Sequence, residues 1–215
     1  QLFSLASHKE YKSCQDFSSA LAQAISSAQI AYQRDSHVVG VTTGFLDLDK
    51  MLGGLHPSDL VILAGRPSMG KTALATNMAF NAAMSKMRGE TFGAPVIFFS
   101  LEMSAEQLAT RLLASECGIS SDKIRRGDIK SEEFPKFVEA SRRICEAPLF
   151  IDDTPALTVT ALRNKARRLQ RQHGLGLIVV DYLQLLDGGD KKSDSRVNEI
   201  SNITRGLKAL AKELD

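Results

Sequence analysis

The stretch that decides the fold is "LVILAGRPSMGKTALA" (60–75). Its first five residues, 60–64, are apolar and read as a short buried strand. The next eight, "GRPSMGKT" (65–72), fit the pattern G-x-x-x-x-G-K-[ST]. An alanine-rich helix is predicted from about Thr72 to near Gly89. Strand, glycine loop and helix in that order are the context in which this pattern wraps a phosphate. The loop Gly65, Arg66, Pro67, Ser68, Met69 and Gly70 is expected to curl around the anion. Gly65 and Gly70 are expected where a side chain would obstruct the backbone. The following helix offers its N-terminus to the negative charge. Lys71 reaches the β- and γ-phosphates, and the Thr72 hydroxyl coordinates Mg²⁺. A nucleoside triphosphate is the ligand this predicts.

Downstream the pattern repeats. "VIFFS" (96–100), "LFID" (149–152) and "LIVVD" (177–181) are apolar runs of strand length, separated by helical patterns. Ser104 and Gln107 form a capping box that opens one helix, and Gly118 follows its end. A further helix is predicted over about 132–145, another over "TVTALRNKARRLQRQHG" closed by Gly174, and a last one after the polar loop 187–195. Continuous apolar strands alternating with helices predict an α/β fold, a mostly parallel sheet with helices on both faces. Upstream, Phe17, Leu21, Ala24, Ile25 and Ala28 recur at helical steps. A short helix at 2–6 and a polar joint at 13–16 are predicted before them. "VTTGFLDLDKMLGGLHPSDL" (41–60) is rich in turn signals.

Composition sets the broad class. The 215 residues are 43% hydrophobic and 24% charged, with a formal charge of +2. That is an ordinary globular balance, so any nucleic-acid surface must be a local basic patch. Three scattered cysteines, Cys14, Cys117 and Cys145, lack zinc spacing and read as reduced thiols of a cytoplasmic protein. No apolar run approaches the roughly 18 residues of a membrane span. The first residue is not Met, and the last helical pattern ends without a cap. Both features lead to the expectation of an excerpt.

The metal shell of a nucleotide site needs a second carboxylate at the end of an apolar strand. Asp152 and Asp153 run straight into Thr154-Pro155, a common turn opening. Asp181 ends a longer, more β-branched strand and is followed by Tyr182-Leu183-Gln184. Asp181 is the better candidate, with Asp152 and Asp153 as turn residues. Glu102, in "FFSLEMS" (98–104), is either a carboxylate favoured by the nearby helix N-terminus or a general base for attack on the γ-phosphate. Parallel sheets bind ligands beyond the carboxyl ends of their strands. Glu102, the glycine loop and Asp181 all follow strands and fall on that edge. Arg163, Lys165, Arg167, Arg168 and Arg171 line one helix without an acid, while Leu162, Ala166 and Leu169 mark its core face. That basic face is solvated, a subunit contact or a weak nucleic-acid surface. His56 and His173 read as structural.

Three stretches together resemble the bacterial replicative DNA helicases of the DnaB type. They are "TTGFLDLDKMLGGLHPSDLVILAGRPSMGKTALATNMAFNAA", "FFSLEMSAEQLATRLLA" and "LIVVDYLQLL", and "SRVNEISNITRGLKALAKEL" fits too. The resemblance implies a RecA-like P-loop ATPase domain over 17–215, incomplete at its C-terminal end, preceded by the end of a linker helix and a joint over 1–16. It implies ATP and Mg²⁺, held by Lys71, Thr72 and Asp181, with Glu102 activating the attacking water and Gln184 sensing the γ-phosphate. It implies a homo-hexamer that encircles single-stranded DNA, with a linker helix docked on the adjacent subunit and an arginine finger supplied in trans from beyond residue 215. Primase and a helicase loader are the implied partners. Lys191 and Lys192 lie in the loop where such proteins place DNA contacts, so that loop is either a DNA contact or a mobile surface segment. A recombinase or repair ATPase on the same fold is an alternative, but no polymerisation motif precedes the domain. A nucleotide-gated assembly module is another, and it would have no need of Glu102.

Overall fold

The computed structural model describes residues 16–32, 38–186 and 196–215. The chain divides into two compact units, residues 1–37 and 38–215. In the first unit the described part is the helix α1 (Phe17–Tyr32). Asp16 opens it, accepting bonds from the Ser18 hydroxyl and the Ser19 N–H at 2.7 and 2.8 Å. The short helix at 2–6, most of the joint at 13–16, and the loop 187–195 lie outside the described residues.

The second unit begins with a turn-rich lead-in around α2 (Leu46–Leu52). Then come α3 (Lys71–Met87), β1 (Val96–Ser100), α4 (Ala105–Cys117), α5 (Ser121–Arg126) and α6 (Phe134–Ile144). β2 (Leu149–Asp152), α7 (Val159–His173), β3 (Leu177–Asp181) and α8 (Arg196–Leu214) complete it. The strands form one parallel sheet in the order β2-β1-β3. In register, Phe99 stands opposite Asp152, and Ser100 opposite Asp181. Every residue of β1 is buried, as the central strand of a two-sided sheet must be. Its side chains alternate between two cores. Val96 and Phe98 pack with Ala79, Ala82 and Ala83 of α3 and Leu108 of α4. Ile97 and Phe99 pack with Leu162 and Ala166 of α7 and Ile203, Leu207 and Leu210 of α8. Burying a side chain the size of Phe98 or Phe99 contributes about 2–3 kcal/mol. The alanines of α3 let that helix lie close on the sheet.

The fold class and the three downstream strands are as the sequence predicts, and the local signals explain their ends. The Ser104–Gln107 capping box is formed, and Gly118 closes α4 at φ 70°. Thr158 caps α7 by accepting from the Ala161 N–H at 3.1 Å. Two short helices are additions to that reading: α2, within the turn-rich lead-in, and α5, between the helix closed by Gly118 and the one predicted over 132–145.

The apolar run 60–64 departs from the reading. It forms no strand: among the described residues nothing pairs with its backbone. Leu60 packs against the α7–α8 core, but Val61, Ile62 and Leu63 are 58, 55 and 45% exposed. A strand needs a ladder partner as well as β-branched residues, and this segment has only the residues. Lys208 of α8 anchors its start, donating to the Ser58 carbonyl and the Asp59 carboxylate at 2.8 and 3.2 Å.

Candidate nucleotide site

Residues 65–70 are exposed and lead directly into α3. Gly70 is the N-cap of that helix at φ 87° and contributes no side-chain hydrogen bond. The first N–H groups of α3 are therefore left for an external acceptor. A Cβ at Gly70 would meet nothing within 4 Å, so the left-handed backbone, and not crowding, is what favours glycine there. At Gly65 a Cβ would come 3.3 Å from the Lys71 Cγ, a close fit against that lysine's stem. Ser68 is also left-handed, at φ 63°, and the Met69 N–H donates to the Arg66 carbonyl at 3.3 Å. The first turn of α3 holds no acidic residue to compete with a phosphate.

Two further stretches approach this loop. The Lys71 ammonium lies 5.7 Å from the ring centroid of Tyr182, the residue after Asp181. The Leu101 N–H donates to the Asp181 carbonyl at 2.8 Å, extending the β1–β3 ladder to the residue before Glu102. The start of α3 thus lies beside the end of β3, and the end of β3 beside the end of β1.

Asp181 is 6% exposed, and its Oδ2 has no hydrogen-bond partner among the described residues. A buried carboxylate oxygen without a donor suits a hard cation or its bound water. Thr72 brings a hydroxyl from the start of α3, and the Thr76 hydroxyl one turn on is likewise buried without a partner. No group of three or more His, Cys, Asp or Glu side chains forms a metal cage among the described residues. An ion bound through one hydroxyl, one carboxylate and substrate phosphates, as Mg²⁺ prefers, fits these oxygen donors.

Glu102 sits in the bend between β1 and α4. Its carboxylate is exposed and makes no hydrogen bond or ion pair among the described residues. The backbone around it is held firmly. The buried Ser100 hydroxyl donates to the Met103 carbonyl at 2.6 Å. The Gln107 side chain accepts from the Ser104 N–H at 3.1 Å, and the Ser104 hydroxyl accepts from the Gln107 N–H at 3.2 Å. Gln184 lies in a 3₁₀ turn, Leu183–Leu185. Its side chain is exposed, and its carbonyl accepts from Arg196 at the start of α8 at 2.6 Å. Lys191 and Lys192 lie outside the described residues.

Sequence reasoning gave no role to Ser100 and Tyr182, and it took Asp153 for a turn residue. The first two adjoin residues already singled out, and their placement beside a strand end was the available signal. Asp153 had none, because its partner is 48 residues away: it accepts from the Ala105 N–H at 2.9 Å. Asp152 does act in a turn, accepting from the Thr154 N–H at 3.0 Å, and it also pairs with Lys165 at 2.6 Å. The basic helix is partly neutralised, although Arg168 and Arg171 are exposed. Arg163 and Arg167 both pair with Glu213 of α8, while Lys165 is held by Asp152 and Thr154. His173 packs on Phe150 with ring centroids 4.8 Å apart, a structural contact.

A glycine loop opening a helix, with a buried acid and an exposed acid at adjacent strand ends, defines a nucleotide-binding α/β domain of the RecA-like kind. The sequence pattern of the DnaB-like helicase C terminal domain matches residues 40–215, and the chain belongs to that family. It is 48% identical over its whole length to the replicative DNA helicase DnaB of Rickettsia bellii, covering 44% of that protein. It is 43% identical over 91% of its length to that of Geobacillus stearothermophilus, covering 42% of it. The chain therefore spans less than half of these relatives. Among solved structures it superposes on the ATPase domain of G40P with a TM-score of 0.81 and 36% identity, covering 94% of this chain and 69% of that one. A DnaB-like replicative helicase, whose structure describes its interactions with primase, gives 0.78 and 35%, over 94% and 46%.

Proposed function

We propose that this chain is the ATP-hydrolysing part of a replicative DNA helicase, acting as a homo-hexamer on single-stranded DNA. The observation that supports it best is that Lys71 lies beside Tyr182, and Asp181 beside the Glu102 bend, within a domain of the DnaB-like family. The loop 65–70 and the start of α3 take the phosphates through backbone N–H groups, and Lys71 neutralises the β- and γ-oxygens. Thr72 and Asp181 would hold Mg²⁺, and the ion would supply electrostatic stabilisation of charge on the phosphoryl group. Glu102, unpaired and on a fixed bend, accepts the proton of the attacking water. Gln184, tied through its carbonyl to Arg196, passes the state of the γ-phosphate to α8 and to the loop with Lys191 and Lys192, which contacts DNA. Primase and a loader are the partners this reading carries, by likeness to the family.

The deciding experiment is forked-duplex unwinding and ATP hydrolysis by the full-length protein, wild type against Glu102→Gln. Nucleotide binding is expected to persist while hydrolysis falls at least about 10²-fold and unwinding is lost. Unimpaired hydrolysis in Glu102→Gln removes that residue from the mechanism, and absence of unwinding by the wild type removes the helicase reading.

A further inference from the structure

Asp153 leaves the end of β2 and reaches the helix that follows Glu102. Its place is well determined. The β1–β2 ladder runs to the pair Phe99–Asp152, so Asp153 is the first residue past it, on the edge where the Glu102 bend lies. Asp152 beside it is fixed by the Thr154 N–H and by Lys165 of α7, and the Lys165 ammonium also donates to the Thr154 hydroxyl at 2.7 Å. From this anchored turn the Asp153 carboxylate accepts from the Ala105 N–H at 2.9 Å.

Ala105 is the first residue of α4, and its N–H is one that the capping box leaves unserved. The box satisfies the N–H groups of Ser104 and Gln107. Asp153 thus supplies the missing acceptor and places a negative charge at the positive end of α4. The bend 101–103 is then fixed on both sides. Leu101 is tied to Asp181, Met103 to Ser100, and Ala105 to Asp153. Each tether comes from a different strand end, and only Glu102 in the middle has a free side chain among the described residues.

We propose that Asp153 is a positioning residue for Glu102, holding the first turn of α4 so that the Glu102 carboxylate keeps its aim at the γ-phosphate. This rests on the reading of Glu102 as the base. The loop 65–70 belongs to a different segment, so the effect belongs to the chemical step and not to nucleotide affinity.

The test is steady-state ATP hydrolysis by the full-length protein with single-stranded DNA, comparing wild type, Asp153→Ala, Asp153→Asn and Glu102→Gln. Binding of a fluorescent ATP analogue serves as the folding control. Asp153→Ala is expected to lower kcat about fivefold, the kinetic equivalent of one exposed hydrogen bond, with KM within about twofold. Asp153→Asn keeps an acceptor oxygen and is expected to recover most of kcat. An unchanged kcat in Asp153→Ala, a loss confined to KM, or equal losses in both Asp153 variants overturns the positioning role. If Glu102→Gln hydrolyses ATP normally, the base reading falls and takes this role with it. If Glu102→Gln is inactive and Asp153→Ala is normal, only the positioning role falls.

Discussion

Asp49 explains why the turn-rich lead-in keeps its shape. Its carboxylate is 5% exposed and accepts three bonds: from the Thr42 hydroxyl at 2.5 Å, the Thr43 N–H at 2.8 Å and the Thr43 hydroxyl at 2.7 Å. A buried charge is tolerable only when its oxygens are served in this way. The cluster is joined to the helix of the nucleotide site, because Asn81 of α3 donates to the Thr43 carbonyl at 3.2 Å. Gly44 permits the approach. It has φ 75°, and a Cβ there would lie 2.3 Å from the Asn81 Nδ2. Asp49→Ala strands two buried hydroxyls and an N–H, at a cost of about 3 kcal/mol in stability. Asp49→Asn retains one acceptor and should cost less. Urea unfolding of the two variants measures this, and a loss below about 1 kcal/mol for Asp49→Ala counts against the cluster as a structural anchor.

At the scale of elements, α7 and α8 are joined by more than their shared apolar core. Glu213 takes Arg163 and Arg167 together, while Lys165, between them in sequence and on a different side of α7, ties that helix to Asp152 of β2. Burial pushes the Glu213 carboxyl up, but Arg167 and Arg163 outweigh it and hold it below its usual value. Asp152 behaves alike: burial raises it, and the bonds from Lys165 and Thr154 bring it lower overall. A carboxyl depressed in the folded state stabilises fully above its unfolded pKa, about 4.3 for Glu. That contribution is lost as pH falls through the lower folded value. The arginines are partly exposed, so solvent screening limits the clamp to about 0.5–1 kcal/mol. Glu213→Gln is therefore expected to lower the thermal midpoint by about 2 °C at pH 7, with the gap narrowing as pH falls below about 4.3 and closing below the lowered folded value. Melting curves across that range test it, and an equal gap at both ends refutes the clamp. These pairs were not legible in the sequence, because Arg163 and Glu213 are 50 residues apart. Local signals did better. "VIFFS", "LFID" and "LIVVD" became strands, and the Ser104 capping box became a helix start. The helices α2 and α5, of 7 and 6 residues, are too short to display a helical period. The run 60–64 had the residues of a strand, but pairing is a property of its neighbours. Asp153 was read as a turn residue because turn chemistry is local and a helix N-terminus 48 residues away is not.

For the molecule as a whole, the decisive fact is how open the candidate nucleotide site is. Residues 61–70 are all exposed, and Lys71 is the residue of the phosphate-loop pattern whose cation faces Tyr182. Fixed charges stabilise a transition state strongly only where water is excluded and dipoles are already in place. On the proposed reading, a loop exposed to solvent and backed by an unpaired apolar segment can take phosphate through its backbone but gives little of that stabilisation. The chain spans 44% of its Rickettsia bellii relative, and in the proposed hexamer a second subunit would cover this exposed face. A cation delivered there in trans is worth about 10³–10⁵ in rate, or roughly 4–7 kcal/mol of barrier. The 215-residue chain alone is therefore expected to bind ATP while hydrolysing it at least about 10³-fold more slowly than the full-length protein. Single-turnover hydrolysis at saturating ATP separates the two steps, since binding is then complete in both proteins. Comparable rates locate the whole catalytic apparatus within these residues. A slow chain whose rate rises when full-length Lys71→Ala protein is added locates the missing charge on a neighbour, because that variant cannot fire its own phosphate loop yet still offers its other surface.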